Sequence, residues 1–260
     1  MFLNAVIIIL REVIEASLII SIFLAFCQQY KLPRQWLFFA LPLGLVIALI
    51  YAINMSTVSQ WLDDVGQEVI NASLHTMVYL VMVSFVTLAV SVKTGHYKKV
   101  IIGLMITGVT FASIREGSEI ILYIYGFIAL PDLLNAVLLG GAIGAGLGLS
   151  VGVLFYYLLV SLPTNQGIKV GLLLSLFVAG GMVLQATQLL SQADWIASQY
   201  PLWDTSNWIS ERSVIGQLLY ALVGYEATPT PTQVIAYVSA LTLMVILATF
   251  SYLHALRSQS

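Results

Sequence analysis

Charge is scarce in this chain, and so is cysteine. Of 260 residues, ten are Lys or Arg and twelve are Asp or Glu, 8% in all. So little charge excludes an ordinary soluble domain, whose water-facing side is built largely from those four residue types. The one cysteine, Cys27, excludes an internal disulfide, and its apolar surroundings mark it as a small packed side chain. The net charge of −2 selects no partner, and no nucleic-acid ligand is expected. A basic n-region is also lacking: MFLNAV opens the chain, and Arg11, Glu12 and Glu15 interrupt the apolar run behind it. The first helix is therefore expected to stay in the mature protein rather than be cleaved.

What the chain has in quantity is apolar side chains, 60% of the total. Its mean hydropathy is +0.96. Several segments reach the ~20 apolar residues that cross a bilayer. The fold class predicted is all-α: a polytopic, multi-pass membrane protein of seven transmembrane helices. They run over about 3–29, 36–58, 70–92, 100–129, 133–161, 169–192 and 232–255. Lys31, Arg34, Lys93, Lys98, Lys99, Lys169 and Arg257 fall in connectors or tails that hold no acid. Asp63, Asp64, Glu68, Asp132, Asp194, Asp204, Glu211 and Glu226 fall in the other set, with one cation, Arg212. The positive-inside rule then puts the N-terminus outside and the C-terminus in the cytoplasm.

Six of the charged residues stand inside predicted spans, as two copies of Arg-Glu-x-x-Glu: Arg11-Glu12-Val13-Ile14-Glu15 and Arg115-Glu116-Gly117-Ser118-Glu119. A charge at such depth costs roughly 2.5–3.5 kcal/mol on insertion scales. The copies lie 104 positions apart, and each opens a group of three spans. Three is odd, so the second group enters the membrane from the opposite side. That is the pattern of a 3+3 inverted repeat, whose substrate site lies near the midplane between repeats. A single transmembrane domain over 1–260 follows. Its first repeat covers about 1–98 and its second about 99–195. An external interfacial segment, 196–231, and the seventh helix, 232–255, stand outside the repeat. That segment, rich in Trp and Tyr, reads as a packing flap over the helix ends or as a lid over a vestibule. Gly140, Gly144, Gly148 and Gly152 recur at intervals of four and read as a smooth stripe for close helix approach, and Gly180-Gly181 reads the same way.

At 100° per residue, the arginine and both glutamates of each motif share a face about 100° wide. Two such faces brought together offer Glu12, Glu15, Glu116 and Glu119, with Arg11 and Arg115 in support. Four carboxylates and two guanidinium groups leave a charge of −2, suited to a hard multivalent cation. The arginines can pair with the glutamates when no ion is present and fix their rotamers. Buried ion pairs that only set helix register are the bland alternative. A membrane di-iron oxidase would be expected to show Glu-x-x-His pairs, and neither motif has one.

These motifs resemble those of the oxidase-dependent iron permease family, and the stretch LWDTSNWIS…GQLLYALVGYEATPTPTQVIAYV is similar to that family's C-terminal part. The resemblance implies iron, as Fe²⁺ or Fe³⁺, as the transported substrate, with no organic cofactor and no enzymatic activity. It implies Glu12, Glu15, Glu116 and Glu119 as iron ligands supported by Arg11 and Arg115. It further implies residence in the cell (inner) membrane and an extracytoplasmic partner protein that oxidises or delivers iron. Another divalent cation, such as manganese, stays open, because carboxylates alone do not separate the two. Where the family offers an acidic pair at the third span, this chain has Glu68 but Asn71 in place of a further glutamate. Asp63, Asp64 and Glu68 are a candidate outer mouth, or simply the acidic outer face of a positive-inside protein. His75 reads as a core histidine with a hydrogen-bond partner, beside Met77. Asn54, Met55, Gln185 and Gln188 read as facing the pathway or, by default, as joining helices by hydrogen bonds, and His96 and His254 carry no signal.

Overall fold

The computed structural model describes residues 1–90, 98–211 and 213–257. Lys93, His96 and Arg212, and the side chain of Arg257, lie outside the described residues. The long helices are α1 (Phe2–Tyr30), α2 (Leu37–Ile53), α5 (Gly66–Val90), α6 (Lys98–Tyr125), α7 (Pro131–Ser161), α8 (Thr164–Gln192) and α10 (Pro231–Arg257). Between α2 and α5 lie two single turns, α3 (Met55–Ser59) and α4 (Trp61–Asp64), and a short helix, α9 (Val214–Val223), interrupts the last connector. No strand occurs among the described residues.

Five of these helices are long and apolar enough to cross a membrane: α5, α6, α7, α8 and the Pro231–His254 part of α10. The first and second predicted spans stand outside that set. The second, predicted over about 36–58, stops at Ile53, 17 residues long. The reason is local. Asn54 turns its side-chain amide back on the Ile50 carbonyl at 2.8 Å, which takes an acceptor at the helix end and favours a cap. Beyond it Leu62, Asp63 and Asp64 all take positive φ. Elsewhere the ends match local chemistry. Pro131 and Asp132 open α7, where a missing N–H and a negative charge are both favourable. Ser213 caps α9 by accepting from the Gly216 N–H at 3.0 Å. Gly224, at φ 66°, closes it in the left-handed region.

The two motif helices pack unlike neighbours in chain order. The most extensive contact of α1 is with α7, and that of α6 is with α2. Both contacts depend on small residues. A methyl on Gly144 would stand 2.5 Å from the Val6 carbonyl oxygen, and one on Gly44 would stand 2.9 Å from that of Thr110. Hydroxyls then cross the gap: Ser17 to the Gly148 carbonyl at 3.2 Å, Ser21 to that of Gly152 at 2.7 Å, Thr110 to that of Ala40 at 3.3 Å. Close approach with side-chain hydrogen bonds suits helices in lipid, where apolar packing gains nothing over the solvent. Helices α5 and α8 pack on each other, and α10 packs on both. The C-terminal half of α1 enters an apolar core with Phe23, Phe26, Phe85, Met82 and Met105 fully buried.

Candidate metal centre

Arg11, Glu12 and Glu15 lie midway along α1, and Arg115, Glu116 and Glu119 in the second half of α6. The helices touch there, as the sequence pattern anticipates. The structure divides the four glutamates unequally. Glu12, Glu116 and Glu119 each present one oxygen, and these oxygens lie within 4.8 Å of one another. Glu12 and Glu116 are buried, whereas the Glu119 side chain keeps 31% of its exposure. Glu15 is engaged elsewhere: Oε1 accepts from Arg11 Nε at 3.2 Å and Oε2 from Gln185 Nε2 at 2.8 Å.

The arginines differ in the same way. A single nitrogen of Arg115, Nη1, stands 2.7 Å from Glu119, 3.4 Å from Glu116 and 3.7 Å from Glu12. Arg11 pairs with Glu15, and its guanidinium lies 4.0 Å from the ring centroid of Tyr220 on α9. With every group ionised, three carboxylates and one guanidinium carry a local charge of −2. Glu12 Oε2 is buried without a hydrogen bond, so acceptor capacity remains in the cluster.

A polar cavity of about 250 Å³ reaches this cluster from the side of the last connector. Arg11, His75, Arg115 and Glu119 line its inner part, and Gln185, Gln188, Gln217, Tyr220, Glu211 and Glu226 the rest. The connector is thus more than a cover over helix ends. Glu211 anchors it by accepting from the Ala227 N–H at 2.6 Å, and Gln233 donates to Glu226 at 3.2 Å. Burial pushes the Glu226 carboxyl up to about 6, with the Glu211 carboxylate adding to the effect. Asp63 and Asp64 are exposed, and Glu68 is half-buried at the start of α5; none of the three lines this cavity. A second cavity, about 240 Å³ and largely apolar, flanks Glu12 and Glu116 on another side, between Leu41, Leu45 and Leu149.

Sequence reasoning left His75 and Tyr220 out of the site. His75 is buried on α5, and its Nε2 accepts from Arg115 Nε at 3.0 Å. Its histidine-with-a-partner reading holds, but the partner is a motif arginine. A polar residue inside a predicted span was the available signal for His75; Tyr220 lies in the external segment, and only the fold brings the two to the motifs.

A charged cluster buried inside a bundle of membrane-length helices defines a class: a multi-pass helical membrane protein with a polar site in its interior. The Iron permease FTR1 family matches residues 2–260, and the chain belongs to that family. It is similar to the ferrous iron permease EfeU of Yersinia pestis, 27% identical over 253 residues that cover 88% of this chain and 87% of that one. EfeU of Yersinia pseudotuberculosis serotype I (strain IP32953) is 27% identical over 253 residues, 88% of this chain and 86% of its own. No solved structure matches.

Proposed function

We propose that this iron permease imports iron across the inner membrane by passing it over Glu12, Glu116 and Glu119. The observation that carries the reading is the convergence of three carboxylates from two helices on one point, with Glu119 lining a polar cavity and Glu12 and Glu116 buried behind it. Hard cations favour oxygen ligands, and a local charge of −2 balances one divalent ion. The relatives' name, ferrous iron permease, agrees with that charge. Glu15 and Arg11 then form a neutral pair that shapes the wall, with Gln185 fixing the carboxylate.

The charge bias of the connectors supports an N-terminus outside and a cytoplasmic C-terminus. In that orientation the polar cavity opens outward, and the buried Phe23, Phe26 and Phe85 close the cytoplasmic side. An extracytoplasmic protein that oxidises or delivers iron would meet the connector that walls the cavity. The inverted repeat is supported by packing. The Thr110 carbonyl meets Gly44 as the Val6 carbonyl meets Gly144, and Gly117 faces Ala48 as Val13 faces Gly148. Thr110 and Gly117 stand 104 residues beyond Val6 and Val13; Gly144 and Gly148 stand 100 beyond Gly44 and Ala48. Each motif helix so makes one contact twice, against the second helix of the other repeat.

Radiolabelled iron uptake into cells expressing Glu12→Gln, Glu116→Gln or Glu119→Gln tests the proposal. Uptake is expected to be abolished at equal protein level, and wild-type rates would refute it. Manganese that competes as well as iron would reassign the substrate to divalent cations at large.

A further inference from the structure

We infer that Arg115 is a tethered counter-cation, displaced from the three carboxylates by an arriving divalent metal, with His75 as the pivot that positions its guanidinium. The inference rests on the metal-centre reading above and goes beyond it. Arg115 Nη1 contacts Glu12, Glu116 and Glu119 at once, so it stands where an ion shared by the three would stand. Two cations do not share that point, because like charges repel strongly where water is excluded. Arg11 is no such competitor: among the described residues its ion pair is with Glu15, and it is drawn aside over Tyr220.

His75 supplies the fixed end. Its Nε2 accepts from Arg115 Nε at 3.0 Å, which places the ring proton on Nδ1, 3.2 Å from Met182 Sδ. Both ring nitrogens are engaged and the side chain is fully buried, so the ring is held. A limited rotation about the Cδ–Nε bond of Arg115 moves Nη1 while Nε stays in place; the Nε–H turns with the guanidinium plane, so His75 keeps its bond for a swing of up to about 60°. Space for the swing is present, since Arg115 and His75 both line the 250 Å³ cavity. When the metal leaves, Nη1 returns to the carboxylates, and the emptied site does not hold three bare negative charges. The counter-cation therefore weakens binding and speeds release.

That sign separates the inference from a structural role. Purified full-length protein in lipid nanodiscs is titrated anaerobically with Fe²⁺, and uptake by cells gives kcat and KM. Arg115→Gln is expected to bind Fe²⁺ about tenfold tighter or more, while its uptake kcat falls by about tenfold. His75→Ala lets the guanidinium settle fully on the carboxylates and raises KM several-fold; His75→Gln keeps an acceptor and restores it. Unchanged or weaker Fe²⁺ affinity in Arg115→Gln overturns the inference. If that variant does not fold, a structure of the wild-type protein with Fe²⁺ decides. Nη1 withdrawn from the carboxylates with Nε still on His75 supports it, and Nη1 in place beside a bound ion refutes it. A wild-type protein that binds no Fe²⁺ fails the metal-centre reading itself and takes this inference with it.

Discussion

The unequal treatment of the four glutamates makes Glu15→Gln and Glu119→Gln an informative pair. Each change removes one charge and keeps one oxygen, and each lies at the end of the same motif. Glu119 presents an oxygen to the shared point with Glu12 and Glu116. A unit charge about 4 Å from another is worth ~4 kcal/mol at an effective dielectric of ~20. Against a divalent ion it doubles to ~8 kcal/mol, about six decades of affinity at ~1.4 kcal/mol per decade, before the lost hydration of the carboxylate and the nearby Arg115 offset most of it. The amide oxygen that remains still coordinates, so Glu119→Gln is expected to weaken Fe²⁺ binding by about one to two decades. Glu15 already spends its charge on Arg11 and its second oxygen on Gln185. Its removal frees a guanidinium that is 32% exposed and stacked over Tyr220, where solvent screens it. The expected loss is under about tenfold. Anaerobic calorimetry on the two purified variants reads the difference directly. Equal losses would refute the division of the site into one metal cluster and one internal ion pair.

Three further outcomes follow from the packing, the connector and the charge bias. Gly144→Ala places a methyl 2.5 Å from the Val6 carbonyl and 3.0 Å from the Leu10 nitrogen, both backbone atoms. It is expected to destabilise by about 1–3 kcal/mol. Gly146→Ala, which meets nothing within 4 Å, should leave the melting temperature in detergent unchanged or raised. Glu226 has its carboxyl raised from 4.5 to about 6 by burial, so the folded state holds a proton that the unfolded state releases in that window. Stability should therefore fall as pH rises from about 4.5 to about 6. The drop is under about 1 kcal/mol once solvent screening of this partly exposed group is allowed for. Denaturation midpoints across that range should flatten in Glu226→Gln. A reporter fused after Lys99 should report from the cytoplasm, and an external signal would reverse the orientation.

Much of the fold is legible in the sequence because lipid simplifies the problem. Apolar runs found α5, α6, α7, α8 and α10 to within a few residues, since every long helix must satisfy its own backbone. The glycine stripe on α7 was legible for the same reason, although its target, α1, was not. The end of α2 was missed because one side chain, Asn54, decides it against an apolar background. Within the site, the helical period put Arg11, Glu12 and Glu15 on one face, but not which of them faces Glu116. That depends on the rotation of α1 against α6, set by Ser17, Ser21 and the glycines of α7 rather than by the motif. His75, Gln185 and Tyr220 come from α5, α8 and α9, and reach the motifs only through that packing.

The central claim is that iron is held between α1 and α6 by Glu12, Glu116 and Glu119. A structure of the protein with Fe²⁺, with anomalous data at the iron edge, tests it most directly. The account predicts one strong peak within coordination distance of an oxygen from each of the three carboxylates. A peak on Glu15 and away from Glu116 and Glu119, or at Asp63 and Asp64 alone, would contradict it.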